Sequence, residues 1–246
     1  MTVGAIVQAR MASTRLPGKV MLEAAGKPLL EHLMERLGHA KRLDLAIVAT
    51  STEPQDDVIA SLCEREGYPL FRGSEKDVLD RYYQASRHFR LETVVRITSD
   101  CPLIDPALVD TMIDFYLAAP GMYDLVTNRR PLTFPDGLDA DIIPVSSLAI
   151  AWANATTAEQ REHTIPFFWQ AGMRVYNFAS PIDLFRTQRW TLDYVEDYYL
   201  IKAIFAALYQ PGRIFGMDAI LDFLHDHPEL SKLNAAYLPS QAALAV

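Results

Sequence analysis

An α/β fold on a mostly parallel central sheet is predicted by three features of this 246-residue chain. Short runs rich in β-branched residues are apolar at successive positions, as strands buried on both faces require. Segments with apolar residues at helical spacing alternate with those runs. The alternation has the rhythm of βαβ units, whose crossover helices return the chain for parallel pairing and cover both faces of the sheet.

The elements follow in order. "VGAIVQA" (3–9), "LDLAIVAT" (43–50) and "ETVVRIT" (92–98) are predicted as buried strands. Between them, "PLLEHLMERLGHA" repeats Leu29, Leu30, Leu33, Met34 and Leu37 at helical spacing, and "DDVIASLCEREG" repeats Val58, Ile59, Leu62 and Cys63. In "VLDRYY", Tyr82 and Tyr83 fall at core spacing and read as packing. After about residue 120 the pattern becomes mixed and predicts a smaller subregion capping the sheet. It holds the turn-rich "NRRPLTFPDGLDADIIP", a helix over "SSLAIAWANA", and another over "TAEQREHTIPFFWQ" that Pro166 interrupts. The strand-like "MRVYNFA" then leads to a helix starting near Tyr194, with Glu196 and Asp197 in its first turn, where the helix dipole favours anions.

Half of the residues are hydrophobic and 22% are charged, without repeats, linkers or low-complexity tracts, so an ordered globular protein with one large core is expected. With 23 Lys and Arg against 31 Asp and Glu, the net charge of −8 argues against nucleic acid or anionic lipid as a partner. No apolar run approaches the roughly 20 residues of a membrane span, and no signal-like segment opens the chain, so a cytoplasmic protein is expected. Cys63 and Cys101 lack any disulfide or metal spacing and read as reduced thiols.

Against this acidic background, "QARMASTRLPGKVM" (8–21) places Arg10, Arg15 and Lys19 on a loop directly after the first strand. Ligands of open parallel sheets bind at the carboxyl ends of the strands, so the loop stands where an anionic ligand is expected. Backbone N–H groups and these cations would suit a triphosphate. A solvated charge cluster is the other reading, and Lys19 also has Glu23 at helical spacing as a partner. Neither a P-loop nor a GxGxxG turn is present.

The segment resembles the signature of CTP-using sugar nucleotidyltransferases, the cytidylyltransferases for 3-deoxy-manno-octulosonate and acylneuraminate. The resemblance continues through "GKPLLEH", "FRGSEKDVLDRYY", "RITSDCPLIDP", "REHTIP" and "RWTLDYVEDYYLI", a combination most similar to the spore coat polysaccharide biosynthesis protein F branch. It implies a Rossmann-like nucleotide-diphospho-sugar transferase fold, CTP and Mg2+ as reagents, and an acidic or modified sugar as acceptor. It further implies one domain over 1–246, with a nucleotide-binding half (1–120), an acceptor and dimerisation subregion (121–188) and a return to the core (189–246), and makes a homodimer plausible.

By the same resemblance, Arg15 and Lys19 serve the triphosphate, with Arg10 as a third cation and Ser13 as a donor. Base recognition falls to Arg72 and Ser74 of "FRGS", with Thr98 and the backbone at Gln8 and Ala9. Asp100 after "VVRITS" and Asp193 after "RWTL" stand at apparent strand ends and are the metal candidates. An Asp after a strand is also an ordinary helix cap, and the resemblance favours metal. The pattern departs from the family at two places: Cys101 replaces an acid and Tyr194 replaces a Thr.

Asp136, Asp139, Glu162 and His163 are the acceptor candidates; a surface hairpin and a capped helix are their plain alternatives. A thiol beside a carboxylate makes Cys101 a poor nucleophile. His225 and His227 alternate like metal ligands but read as surface residues. Asp139 and Asp141 form a D-x-D pair, the mark of a competing reading as a nucleotide-sugar-dependent glycosyltransferase. A catalytically silent binding protein of the same fold is the third reading.

Overall fold

The computed structural model describes residues 1–239. Strand β1 (Val3–Gln8) lies at the heart of a seven-stranded sheet, flanked by β4 (Leu45–Ser51) and β6 (Thr93–Thr98), both parallel to it. Beyond β4 lies β5 (Leu70–Gly73), also parallel. On the other side come β8 (Asp141–Pro144), β7 (Leu125–Thr127) and β9 (Val175–Asn177), giving the order β5-β4-β1-β6-β8-β7-β9. Only β8 runs against the rest, since β6 and β7 both pair with it antiparallel while β9 pairs parallel with β7. A small ribbon, β2 (Glu23–Ala24) and β3 (Lys27–Pro28), stands apart.

Side-chain alternation along the strands divides the core between the two faces of the sheet. Ala5, Val7, Val48, Val95 and Ile97 pack on one face against α1 (Leu29–Leu37), α2 (Asp57–Glu66) and α4 (Pro106–Ala118). Ile6, Ile47, Ala49 and Val94 pack on the other against α3 (Val78–His88) and α5 (Val145–Asn154). Tyr82 and Tyr83 belong to this second layer: the Tyr82 hydroxyl donates to the Ile97 carbonyl, and Tyr83 stacks on Trp152. The expected α/β sheet with helices on both faces is therefore present.

The helix expected over 157–170 is split into α6 (Ala158–His163) and α7 (Ile165–Gln170). The break falls at Thr164, whose φ of 64° lies in a region β-branched residues avoid. Pro166 then sits in the first turn of α7, where its missing N–H has no helical partner to lose. A third cluster joins Trp190 and Leu192 to α8 (Val195–Leu208) and α9 (Met217–Asp226). No described helix is long and apolar enough to cross a membrane. His225 is the penultimate residue of α9 and His227 follows it, so their alternation is not that of a strand.

Candidate active site

The loop after β1 is shaped by its own backbone. Ser13 and Gly18 both donate to the Met11 carbonyl, and Met11 N–H donates 2.7 Å to the carboxylate of the buried Asp56. Gly18 takes φ 70° to start the short 3-10 turn Lys19–Met21, a conformation glycine adopts without a Cβ penalty. That turn drives Lys19 inward instead of along a helix toward Glu23. Its Nζ donates 2.6 Å to the Leu192 carbonyl and lies 2.9 Å from Asp193 Oδ1 and 3.4 Å from Asp100 Oδ2.

Two distant segments supply those carboxylates, stitched together by backbone bonds. Leu192 N–H and the Thr191 hydroxyl both donate to the Asp100 carbonyl. Asp100 is not a helix cap; Asp105 fills that role for α4 by accepting from Ala107 N–H. Arg15 closes the group from outside, 2.7 Å from Asp193 Oδ2. Burial pushes the Asp193 carboxyl up, but hydrogen bonds from Arg15 and Lys19 outweigh it and hold it below the usual range.

These groups open on a cavity of about 520 Å³ at the carboxyl ends of β1 and β6. Gln8, Ala9, Arg10, Ser13 and Thr98 line it alongside the Arg15, Lys19, Asp100 and Asp193 cluster. From the second half of the chain come Asp136, Asp139, Glu162 and His163. Arg72 and Ser74 do not join them. Arg72 donates to the Ser51 and Glu53 carbonyls and pairs with Asp57, while Ser74 accepts from Asp77 N–H ahead of α3. The turn from β5 into α3 carries both away from the cavity.

Three cavity arginines escape the sequence reading: Arg81, Arg96 and Arg129. Arg96 carried the available signal, a charge inside an otherwise apolar parallel strand. It pairs 2.9 Å with Asp141, buried in the sheet, which also accepts from the Thr127 hydroxyl. The D-x-D pair is thus divided: Asp139 lines the cavity, while Asp141 serves as a buried counter-ion. Gln8 Oε1, Arg81 Nε and Arg96 Nε are buried without hydrogen-bond partners among the described residues.

Asp136 and Asp139 lie half-buried in the part of the cavity that the second half of the chain supplies. Burial raises Asp139 to about 7 against the pull of Arg129, and raises Asp136 to about 6 against the pull of Arg189. Gly137, at φ 106°, lets this turn lie directly on residues 190 and 191. Burial, then the Asp100 charge, pushes the Cys101 thiol well up, so it offers no thiolate nucleophile. Among the described residues no trio of His, Cys, Asp or Glu side chains is placed to hold a metal unaided.

No strand forms over 190–192, so Asp193 stands just before α8 and only Asp100 lies past a strand end, that of β6. A cationic loop leaving the first parallel strand to face these two carboxylates defines a nucleotidyltransferase of Rossmann-like fold. The sequence matches the cytidylyltransferase family over residues 4–223, and the chain belongs to that family. It is 35% identical over 96% of its length to protein MJ1063 of Methanocaldococcus jannaschii, covering 95% of that protein. It is 32% identical to the spore coat polysaccharide biosynthesis protein SpsF of Bacillus subtilis, over 81% of this chain and 85% of that one. A 3-deoxy-manno-octulosonate cytidylyltransferase of Trichlorobacter lovleyi is 32% identical over 59% of this chain and 57% of its own. Among solved structures, a cytidylyltransferase from Leptospira borgpetersenii superposes with a TM-score of 0.89 at 31% identity, over 94% of this chain and 96% of that one.

Proposed function

We propose that this enzyme transfers CMP from CTP to a hydroxyl of an acidic or modified sugar, releasing pyrophosphate, in the making of a surface polysaccharide or glycan. The observation that carries the reading is the convergence of Lys19 on Asp100 and Asp193, with Arg15 closing on Asp193, at the carboxyl-end side of β1 and β6. Arg15, Lys19 and Arg10 neutralise the triphosphate, and their preorganised charge acts most strongly on the departing pyrophosphate. Gln8 and Thr98, side by side at the ends of β1 and β6, line the cavity and are the polar residues assigned to the cytosine base.

Asp100 and Asp193 suit Mg2+, which favours hard oxygen ligands and draws the rest of its shell from phosphate and water. When bound, the ion would supply positive charge to the phosphates. Asp136, Asp139, Glu162 and His163 face the same space and hold the acceptor hydroxyl in line with the α-phosphorus, where positioning alone is worth a large rate factor. The glycosyltransferase reading loses its motif because Asp141 is sealed in the sheet with Arg96.

The test is pyrophosphate release with CTP, UTP, GTP or ATP against a panel of 2-keto sugar acids and neutral sugars. Release with CTP and a sugar acid is expected. Equal use of UTP or GTP, or no release with any pair, would overturn the assignment.

A further inference from the structure

The family match ends at residue 223, yet the chain returns to the active site after that point. Residues 230–238 wind through two short 3-10 turns, Leu230–Lys232 and Ala235–Tyr237, and press on the segment bearing Asp193. Buried Asn234 donates 2.8 Å to Asp197 Oδ1 and 2.9 Å to the Arg189 carbonyl. Tyr237 stacks on Tyr194 with ring centroids 3.9 Å apart and planes 4° from parallel, and its hydroxyl donates to Glu196.

Asp197 is the hub that this contact reaches. Its carboxylate is fully buried and accepts from Arg189 Nε and Nη2, from Asn234, and from the N–H groups of both Asp193 and Tyr194. A buried carboxylate with all its donors in place is held to one geometry, and removing a donor exposes the cost of the buried charge. Its position therefore fixes the backbone of Asp193. Tyr194 carries the constraint on to the loop, since the Arg15 guanidinium lies 5.5 Å over its ring.

We infer that residues 230–238 form a C-terminal clasp, in which Asn234 and Tyr237 are positioning residues that hold Asp193 and Arg15 ready for the triphosphate. Tyr194 has a part in the clasp, because its ring gives Tyr237 its stacking partner. The catalytic consequence rests on the function proposed above; the structural claim does not.

Three variants test the clasp against the wild type: Tyr237→Ala, Tyr237→Phe and Asn234→Leu. Hydrogen exchange of the Asp193 and Tyr194 amides is read first, without substrate. Tyr237→Ala and Asn234→Leu should speed it about tenfold or more while the strands of the central sheet stay protected. In pyrophosphate release, both should lower kcat and raise the Mg2+ concentration for half-maximal rate by about tenfold, as loss of groups that orient ligating carboxylates does. Tyr237→Phe keeps the stack and should stay near wild type in both measurements. Tyr237 is partly exposed, so its variants leave the core intact. Unchanged exchange at Asp193 and Tyr194 in Tyr237→Ala overturns the clasp, as does a loss of rate matched by a uniform loss of protection across the sheet. A wild type inactive on every nucleotide overturns the proposed function instead, and the exchange data still decide the clasp.

Discussion

Nζ of Lys19 lies 2.9 Å from Oδ1 of Asp193, although 174 residues separate them in the chain. The contact joins the loop after β1 to the segment that leads into α8, and the function proposed above places the triphosphate there. Lys19→Ala and Arg15→Ala should each reduce kcat/KM for CTP by about 2–4 kcal/mol of leaving-group stabilisation. Arg15 is half exposed, so its variant should unfold at the wild-type temperature. A normal rate in either variant would place the phosphate site elsewhere.

Asp100 and Asp193 touch the same ammonium, so their effects should not add. Asp100→Asn and Asp193→Asn should each remove most metal-dependent turnover, and the double variant should be little worse than either. Fully additive losses in a double-mutant cycle would mean that only one of the two acts on the ion.

Gly137 makes a separate prediction about stability. A Cβ there would stand 2.5 Å from Thr191 N and 2.6 Å from Trp190 C, both backbone atoms that cannot yield easily. Gly172 also has positive φ, at 64°, but open space around it. Gly137→Ala should therefore destabilise by about 2–4 kcal/mol in urea unfolding, clearly more than Gly172→Ala. Equal losses would show that φ alone matters at both sites.

The split between what the sequence disclosed and what it hid follows physical lines. The strands around β1, the cation loop and Asp100 past β6 were legible because each leaves a local pattern in the chain, whereas the strand expected before Asp193 does not form and that residue precedes α8. Arg129 and Arg81 were not, because their role depends on tertiary approach to the cavity and not on neighbours in sequence. Arg72 and Ser74 stood in a family-like motif, yet backbone carbonyls and Asp57 hold Arg72 outside. Asp197 was legible as a helix-start anion; its second task, gathering Arg189, Asn234 and the amide of Asp193, needed the fold.

The buried carboxylates predict a pH dependence of stability. Asp139 titrates at about 7 when folded and near 4 when unfolded, so the folded state holds the extra proton between those values. Its contribution to stability is present below pH 4 and is lost as pH rises through about 7. Asp136, at about 6, acts in the same direction. Buried His32, held below the usual imidazole range by burial, acts oppositely, costing stability as pH falls into the range where an unfolded imidazole takes up its proton. The clean measurement is therefore the difference between Asp139→Asn and wild type in urea unfolding. That difference should shift in favour of the variant from pH 5 to pH 8, and a constant difference would mean that Asp139 is ionised throughout.

His163 tests the division of labour between the two halves of the cavity. It ends α6, directly before the strained Thr164, and lines the cavity beside Glu162, whose carboxylate lies 3.7 Å from Arg10. The cluster of Arg15, Lys19, Asp100 and Asp193, to which the proposed function assigns the triphosphate, is built without it, for its hydrogen bonds and ion pairs do not pass through His163. A sugar enclosed in this space presents hydroxyl or carboxylate groups, and leaving one of them unpaired costs about 1–3 kcal/mol. His163→Ala should accordingly raise KM for the acceptor by about five- to a hundredfold while CTP binding by calorimetry stays near wild type. The wild-type background for that titration is CTP with Mg2+ and no acceptor, so the two substrates are read apart. Loss of CTP affinity in proportion to turnover would assign His163 to the nucleotide, and loss of neither would remove it from the acceptor site.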